Sequence, residues 1–353
     1  MDKQQSMAEA EQLTYSIVGL GNPLLDISAN VSQELLDKYK LRSNDAILAS
    51  DCHLPLYGEL TSKYSPEFMA GGATQNSIRV AQWMLSSRNG RATTFMGSIG
   101  NDEHGRILKE CAERDGVRTH YLVQDTTPTG TCAVCVKGDE RSLVANLSAA
   151  NEFHHDHLDN EKSKEILENG RLFYSSGFHL TVSPTSVLKI AEHAHEKNKT
   201  FLLNLAAPFV MQFYKEPLMN AIKFADFMFG NETEALEFGK LFGWSENLQE
   251  IALKMTELPV ASSSRKRVVV ITQGSEPTIV ALDGKVTLYD VTSIDSKEIK
   301  DTNGAGDAFV GGFISRLALG RPLPDCIKAG QWAAGIVIRR SGCTFPQNCE
   351  YSD

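Results

Sequence analysis

DTNGAGDAFVGGF, residues 301–313, is the stretch that decides how the rest of the chain is read. It sets Gly304, Gly306, Gly311 and Gly312 around one acid, Asp307. The residues from Ala305 through ISRLALG continue a helical pattern, so NGAG lies at a helix N-terminus. Successive backbone N–H groups there, with the helix dipole behind them, form an anion site, and glycine lets an anion approach without a Cβ in the way. A carboxylate in such a cradle is unexpected, because it repels phosphate. Two readings stand. Asp307 is a first-turn acid that complements the helix dipole, an effect under ~1 kcal/mol, or it performs chemistry beside a bound phosphate. The motif alone leaves both open.

Upstream, from about residue 160, the chain alternates short apolar runs with helical stretches. RLFYSSG (171–177), KTFLLNLAA (199–207), ADFMFGN (225–231) and KRVVVITQG (266–274) are the runs, and VTLYDVTSI (286–294) is a further strand. Repeated β-α alternation predicts a mostly parallel sheet with helices on both faces. The N-terminal part fits the same plan. YSIVGLG (15–21) reads as a strand, GGATQNSIRVAQWML (71–85) as a glycine turn opening a helix, ATTFMGSIG (92–100) as a strand and HGRILKECAERDG (104–116) as a helix stopped by Gly116. TGTCAVCVKGDERSLVANLSAA (129–150) differs: it alternates and turns at Lys137-Gly138-Asp139, the pattern of a β-hairpin. With strand-like pieces such as DAILAS (45–50) it predicts a small β-rich flap apart from the main sheet. Residues 1–14 are polar and read as frayed.

Bulk properties narrow the function classes. The chain has 353 residues, 42% hydrophobic and 22% charged, with net charge −9. That balance is globular, and its sign argues against a general nucleic-acid or anionic-membrane binder. No apolar stretch approaches the ~20 residues of a membrane span, and the N-terminus lacks the basic-then-apolar order of a signal peptide. Seven cysteines, an odd number, suit a reducing compartment. The expectation is a cytoplasmic protein, with the nucleus open; a monomer is implied only by the family resemblance that follows. Cys132 and Cys135 form a C-x-x-C, but on a strand their side chains point to opposite faces, which disfavours zinc or redox use. HHDH (154–157) reads as a solvated helix start.

In open parallel α/β sheets ligands bind at the C-terminal ends of strands. The polar and glycine residues there are Asn22, Asp102, Asn204, Asn231, Glu234, Thr272 and Gly274. Other phosphate motifs are missing. There is no GxxxxGK[ST], no HRD…DFG set, and GLGNP is not G-x-G-x-x-G.

DTNGAGDAFVGGF resembles the C-terminal signature of the ribokinase (pfkB) carbohydrate kinases, and GGATQNSIRVAQ (71–82) resembles their N-terminal one. GNPLLDIS (21–28), PTGTCAV (128–134), RSLVANLSAAN (141–151), NLAAPFV (204–210), FGNETEA (229–235) and IRRSGCTFP (338–346) extend the resemblance over residues 15–347, closest to the adenosine-phosphorylating members. It implies a ribokinase-like three-layer α/β/α core with a mostly parallel central sheet. The large domain would hold residues 15–23, 71–125 and 151–350, and a small discontinuous β-rich lid 24–70 and 126–150. The implied reaction is ATP-dependent phosphorylation of the adenosine 5′-hydroxyl to give AMP and ADP. Asp307 would be the general base, Gly304, Ala305 and Gly306 the anion hole, and Arg141 a cation reaching the transferred phosphate from the lid.

By the same resemblance Asp26 holds the ribose 2′- and 3′-hydroxyls, with Gly71, Gly72 and Asn76 completing the ribose contacts. Asn22, Leu24, Cys132, Leu143, Ala145, Leu147, Phe178 and Phe209 form the adenine slot. Leu143, Ala145 and Leu147 are spaced by two, as on one face of a strand. Asn231, Thr272, Gly274, Asn303, Gly304 and Gly306 border ATP, and Glu234 with Asn231 organises Mg²⁺ through water; a monovalent cation is left open. Ala46, His179 and Gln331 depart from the family's usual residues, which bears on affinity and analogue tolerance. The alternatives are a sugar kinase of the same family, which would want a polar pocket in place of Leu143, Ala145, Leu147 and Phe209, and a nucleoside-binding protein without catalysis.

Overall fold

The computed structural model of the protein describes residues 17–42, 46–86, 90–138, 140–261 and 265–352. The expectations for residues 1–14 and for Asp139 lie outside them, as does the side chain of Ala46.

Nine strands form the main sheet: β1 (Ile17–Leu20), β5 (Thr93–Gly100), β6 (Arg118–Gln124), β9 (Leu172–Ser176), β10 (Thr200–Asn204), β11 (Phe227–Asn231), β12 (Val268–Gln273), β13 (Glu276–Leu282) and β14 (Lys285–Tyr289). Their order is β14-β13-β12-β11-β10-β9-β1-β5-β6. The pairs from β6 to β12 are all parallel, and β13 and β14 add an antiparallel hairpin at one edge. IVGL and TTFMGSIG are buried at every residue, as strands covered on both faces must be. Ile17 and Val18 belong to opposite cores. Ile17 packs with Phe95, Phe229 and Phe313, and Val18 with Phe173, Phe201 and Met228. The result is the expected three-layer ribokinase-like architecture.

A second sheet contains β2 (Leu24–Asn30), β3 (Ala46–Leu48), β4 (Glu67–Gly71), β7 (Thr131–Lys137) and β8 (Glu140–Asn146), in the order β3-β8-β7-β2-β4. β7 and β8 form the hairpin read from the sequence, with Lys137 opposite Glu140 and Gly138 at φ +60°. Leu143 and Ala145 share a strand face, whereas Leu147 follows the end of β8 and opens a 3-10 turn. Cys132 and Cys135 enter different clusters on opposite faces of β7, and both are free thiols. HHDH differs in part from its reading as a solvated start. The His157 ring stacks on His120 at 4.7 Å and meets the edge of Phe153.

The helices Ala73–Leu85, Ala305–Ala318 and Leu323–Val337 pack side by side. Here the glycine pair of DAFVGGF finds its use. A Cβ on Gly311 would stand 2.6 Å from the Ser77 carbonyl oxygen, and one on Gly312 would stand 2.4 Å from that of Ala329. These two glycines let three backbones approach closely; they are packing devices, one turn away from the anion loop.

Candidate active site

The parallel strands deliver their polar ends to one rim. Asn22 follows β1, Phe178 and His179 follow β9, and Asn204 ends β10 ahead of Phe209. Asn231 ends β11 directly beside Thr272 of β12. In sheet order the residues assigned to ATP stand on the β11–β12 side and those assigned to the nucleoside on the β9–β1 side. Phe178 and Phe209 face each other across 5.9 Å. Leu24, Cys132, Leu143, Ala145 and Leu147 form one apolar cluster with Val134, Val136 and Ala150.

The helix Ala305–Ala318 begins at Gly304, whose φ of +79° lies in the left-handed region that favours glycine. A Cβ on Gly304 would press on the Cβ of Cys343 at 3.0 Å, while one on Gly306 would meet nothing within 4 Å. Asn303 N–H is already bonded to Asp301 Oδ1 (2.9 Å) and Ala305 N–H to the Thr302 carbonyl (3.2 Å). Among the described residues no protein acceptor pairs with the Gly304 and Gly306 amides, which are the donors left for an anion.

Asp307, in the first turn, is half-buried. Its Oδ2 accepts from Asn76 Nδ2 at 3.1 Å, a bond between the two signature motifs. Burial pushes its carboxyl up to about 7, the Asn76 hydrogen bond pulls the other way, and the charges of Glu234 and Asp26 raise it further. Asp26 on β2 sits against the glycine pair of the first signature. A Cβ on Gly71 would fall 2.2 Å from Asp26 Oδ1, and one on Gly72, at φ +91°, would fall 2.1 Å from the Asn22 carbonyl oxygen. No side chain fits at either place. Burial also lifts Asp26 to about 7, against the pull of Arg79 and with a push from Asp301. Asp307 thus has two raised carboxyls acting on it, because burial lifts Glu234 to about 7 as well.

Glu234 and Asn231 form a closed capping box: Asn231 Oδ1 accepts from Glu234 N–H (2.8 Å), and Glu234 accepts from Asn231 N–H and Nδ2 (3.0 Å each). No group of three or more His, Cys, Asp or Glu side chains is arranged to hold a metal among the described residues.

Arg141, on β8, is buried and paired with Asp301, Nε to Oδ2 at 2.8 Å, and its guanidinium donates to Ser341 Oγ at 3.1 Å. Asp301 Oδ2 also accepts from Gly342 N–H at 2.8 Å. The first acid of DTNGAGD therefore ties together the second sheet, the anion loop and the C-terminal segment. His179 Nδ1 lies 2.6 Å from Asn22 Oδ1, while Asn22 Nδ2 donates to the Phe178 carbonyl (3.3 Å). With the Asn22 oxygen accepting, His179 must carry its proton on Nδ1; burial pushes its pKa down to about 3, so it is neutral. Gln331 donates to Thr278 Oγ1 (3.2 Å) and to the Tyr289 carbonyl (3.1 Å). Asp102 is a helix N-cap that also accepts from Thr129 N–H and Oγ1 at 2.8 and 2.6 Å.

Arg79, Asp301 and Ser341 are the site's organisers that sequence reasoning missed. Arg79 stands three residues after Asn76, hence on the same helical face, and that spacing was the available signal.

The model of the pfkB family of carbohydrate kinases matches residues 34–349. The chain is 50% identical over 337 residues to "Adenosine kinase 1" of Arabidopsis thaliana, covering 95% of this chain and 97% of that one. It is 42% identical to "Adenosine kinase" of Dictyostelium discoideum, over 94% of this chain and 96% of that one. Among solved structures, adenosine kinase of Anopheles gambiae in complex with P1,P4-di(adenosine-5) tetraphosphate superposes with TM-score 0.89 at 47% identity, covering 96% of this chain and 99% of that one. With both signature motifs joined by the Asn76–Asp307 bond, and with this similarity along nearly its whole length, the chain belongs to the pfkB carbohydrate kinase family, alongside the adenosine kinases.

Proposed function

We propose that the protein is an adenosine kinase, transferring the γ-phosphoryl group of ATP to the adenosine 5′-hydroxyl. The observation that carries this is the placement of Asp307 at the mouth of the Gly304–Gly306 loop, held by Asn76 and within the same carboxylate cluster as Asp26. Phosphoryl transfer asks a protein mainly for positioning and charge stabilisation. The loop amides meet the charge on the transferred group. Asp307 takes the 5′-OH proton as oxygen attacks phosphorus, and a pKa near neutrality suits a base that must bind and release it. Asp26 accepts from the vicinal ribose hydroxyls. The relative from Anopheles gambiae was solved with a ligand bearing two adenosines, in keeping with a nucleoside and ATP side by side on one rim.

Mg²⁺ bound with the ATP phosphates would offset their charge, and Asn231 with Glu234 would hold it. Both Glu234 oxygens already accept from Asn231, so this pair suits an ion held through water rather than one bound directly. The sheet of β2, β3, β4, β7 and β8 acts as the lid, with Leu143, Ala145 and Leu147 closing over the base and Arg141 bringing a positive charge to the anion loop. The apolar slot favours a nucleobase over a free sugar. A panel of adenosine, guanosine, inosine and ribose with ATP and Mg²⁺ tests the reading: AMP formation with kcat/KM at least 100-fold above the others is expected, and preference for ribose would overturn it.

A further inference from the structure

Arg79 lies in the helix Ala73–Leu85, is 5% exposed, and its Nε and Nη1 are both bonded. Nε bonds Asp115 Oδ2 at 2.7 Å. Nη1 meets three oxygens: the Ala70 carbonyl (2.5 Å), Asn76 Oδ1 (3.1 Å) and the Cys343 carbonyl (3.3 Å). The Phe345 ring lies 5.5 Å from its carbon centre. Three of these partners, Ala70, Asn76 and Cys343, border the site. Ala70 precedes the Gly71–Gly72 pair under Asp26, and Cys343 packs on Gly304.

An asparagine amide has an oxygen side and a nitrogen side, and only the nitrogen side can donate to a carboxylate. With Oδ1 drawn to the Arg79 guanidinium, Nδ2 is the group left for Asp307. Flipping the amide would set an oxygen against a carboxylate and an NH₂ against a cation.

We propose that Arg79 is a positioning residue for the phosphoryl transfer, locking the Asn76 amide so that it donates to the Asp307 carboxylate and holds that carboxylate in its ionised, proton-accepting form. The proposal rests on the reading of Asp307 as the base. Charged and titratable groups acting on Asp307 from neighbouring elements are Glu234, Asp26, Tyr174 and Cys343, and the Arg79 charge also acts on Asp26. The hydrogen-bonded route from Arg79 to Asp307 runs through Asn76.

The test is the pH dependence of kcat/KM for adenosine with saturating ATP and Mg²⁺, in the parent, Arg79→Met, Asn76→Ala and the double variant. A hydrogen bond to a charged group is worth about one pH unit or more. Arg79→Met and Asn76→Ala should each move the acid limb upward by about one unit, and the double variant should move no further than Asn76→Ala alone. Asp115→Asn, which removes the ion pair but leaves the bond to Asn76, should lower thermal stability without moving the limb. An unmoved limb in Arg79→Met, or a full additional shift in the Asn76→Ala background, overturns the proposal. If Arg79→Met does not fold, Arg79→Lys keeps the buried charge without the planar fork, and the same two outcomes apply to it. Asp307→Asn run alongside separates the two claims. A loss of 100-fold or more with an unmoved limb in the Arg79 variants sinks the positioning role alone. Near-parent turnover in Asp307→Asn sinks the base and the positioning role together.

Discussion

Asn76 Nδ2 donates to Asp307 Oδ2 at 3.1 Å, across 231 residues of chain. The two signature motifs therefore meet in the fold: the first supplies a donor, the second the carboxylate that accepts it. The bond favours the ionised acid, while burial and the charges of Glu234 and Asp26 favour the neutral one. The balance leaves Asp307 titrating near neutrality, in the range a general base needs.

A pH dependence of stability follows. Asp26, Glu234 and Asp307 each rise from ordinary carboxylate values of 3.8, 4.5 and 3.8 to about 7 on folding. An acid with a higher pKa in the folded state binds its proton more tightly there. These groups cost no stability below about pH 4, and their full cost is present above about 7. Asp307→Asn should thus raise Tm at pH 8, at roughly 2–4 °C per kcal/mol relieved, and change it little at pH 4. Thermal unfolding at the two pH values checks this; an equal effect at both would contradict the raised pKa.

Asp26→Ala should act on the nucleoside. Losing hydrogen bonds to a charged acceptor costs about 1.5–3 kcal/mol, or roughly 10- to 150-fold in adenosine affinity, with a smaller change in kcat. Isothermal titration with adenosine reads it directly. Unchanged affinity would remove Asp26 from the ribose site.

The glycines of DTNGAGDAFVGGF should divide into two behaviours. Gly312→Ala forces a methyl to within 2.4 Å of the Ala329 carbonyl oxygen and should cost about 1–3 kcal/mol of stability. Gly306→Ala meets no protein atom within 4 Å, so it should keep the parent Tm and instead lower kcat by crowding the anion loop. Denaturation curves and turnover for the two variants separate the roles.

Asp301→Ala should remove support from three directions at once, leaving Arg141, Asn303 N–H and Gly342 N–H without their shared acceptor. Breaking one side of a buried ion pair costs about 3–5 kcal/mol. The variant should lose that stability and also lose turnover through a loosened loop. A variant with parent Tm would show that the Arg141–Asp301 pair is not structural.

Much of this was legible in the sequence because it is local. The alternation of apolar runs and helices gives the parallel sheet, and NGAG stands, as read, at the start of a helix whose N-cap is Gly304. What stayed hidden is carried by long-range partners. Arg79 stands one turn from Asn76, but two of its acceptors come from residues 115 and 343, far along the chain. Asp301 reads as a loop acid, and only folding brings Arg141 and Gly342 to it. His179 stood out as a departure, but its bond to Asn22 joins the ends of two adjacent strands, β9 and β1, which no local pattern pairs. Gly311 and Gly312 were read with the phosphate loop, whereas helix packing uses them.

The central claim is that Asp307 is the base for transfer to the adenosine 5′-hydroxyl. Its most direct test is kcat for AMP formation by Asp307→Asn, with adenosine binding measured on the same preparation. General base catalysis is worth about 10²–10⁴-fold, so kcat should fall by at least 100-fold while adenosine affinity stays within about threefold of the parent. A variant that binds adenosine normally and turns over within tenfold of the parent would contradict the account.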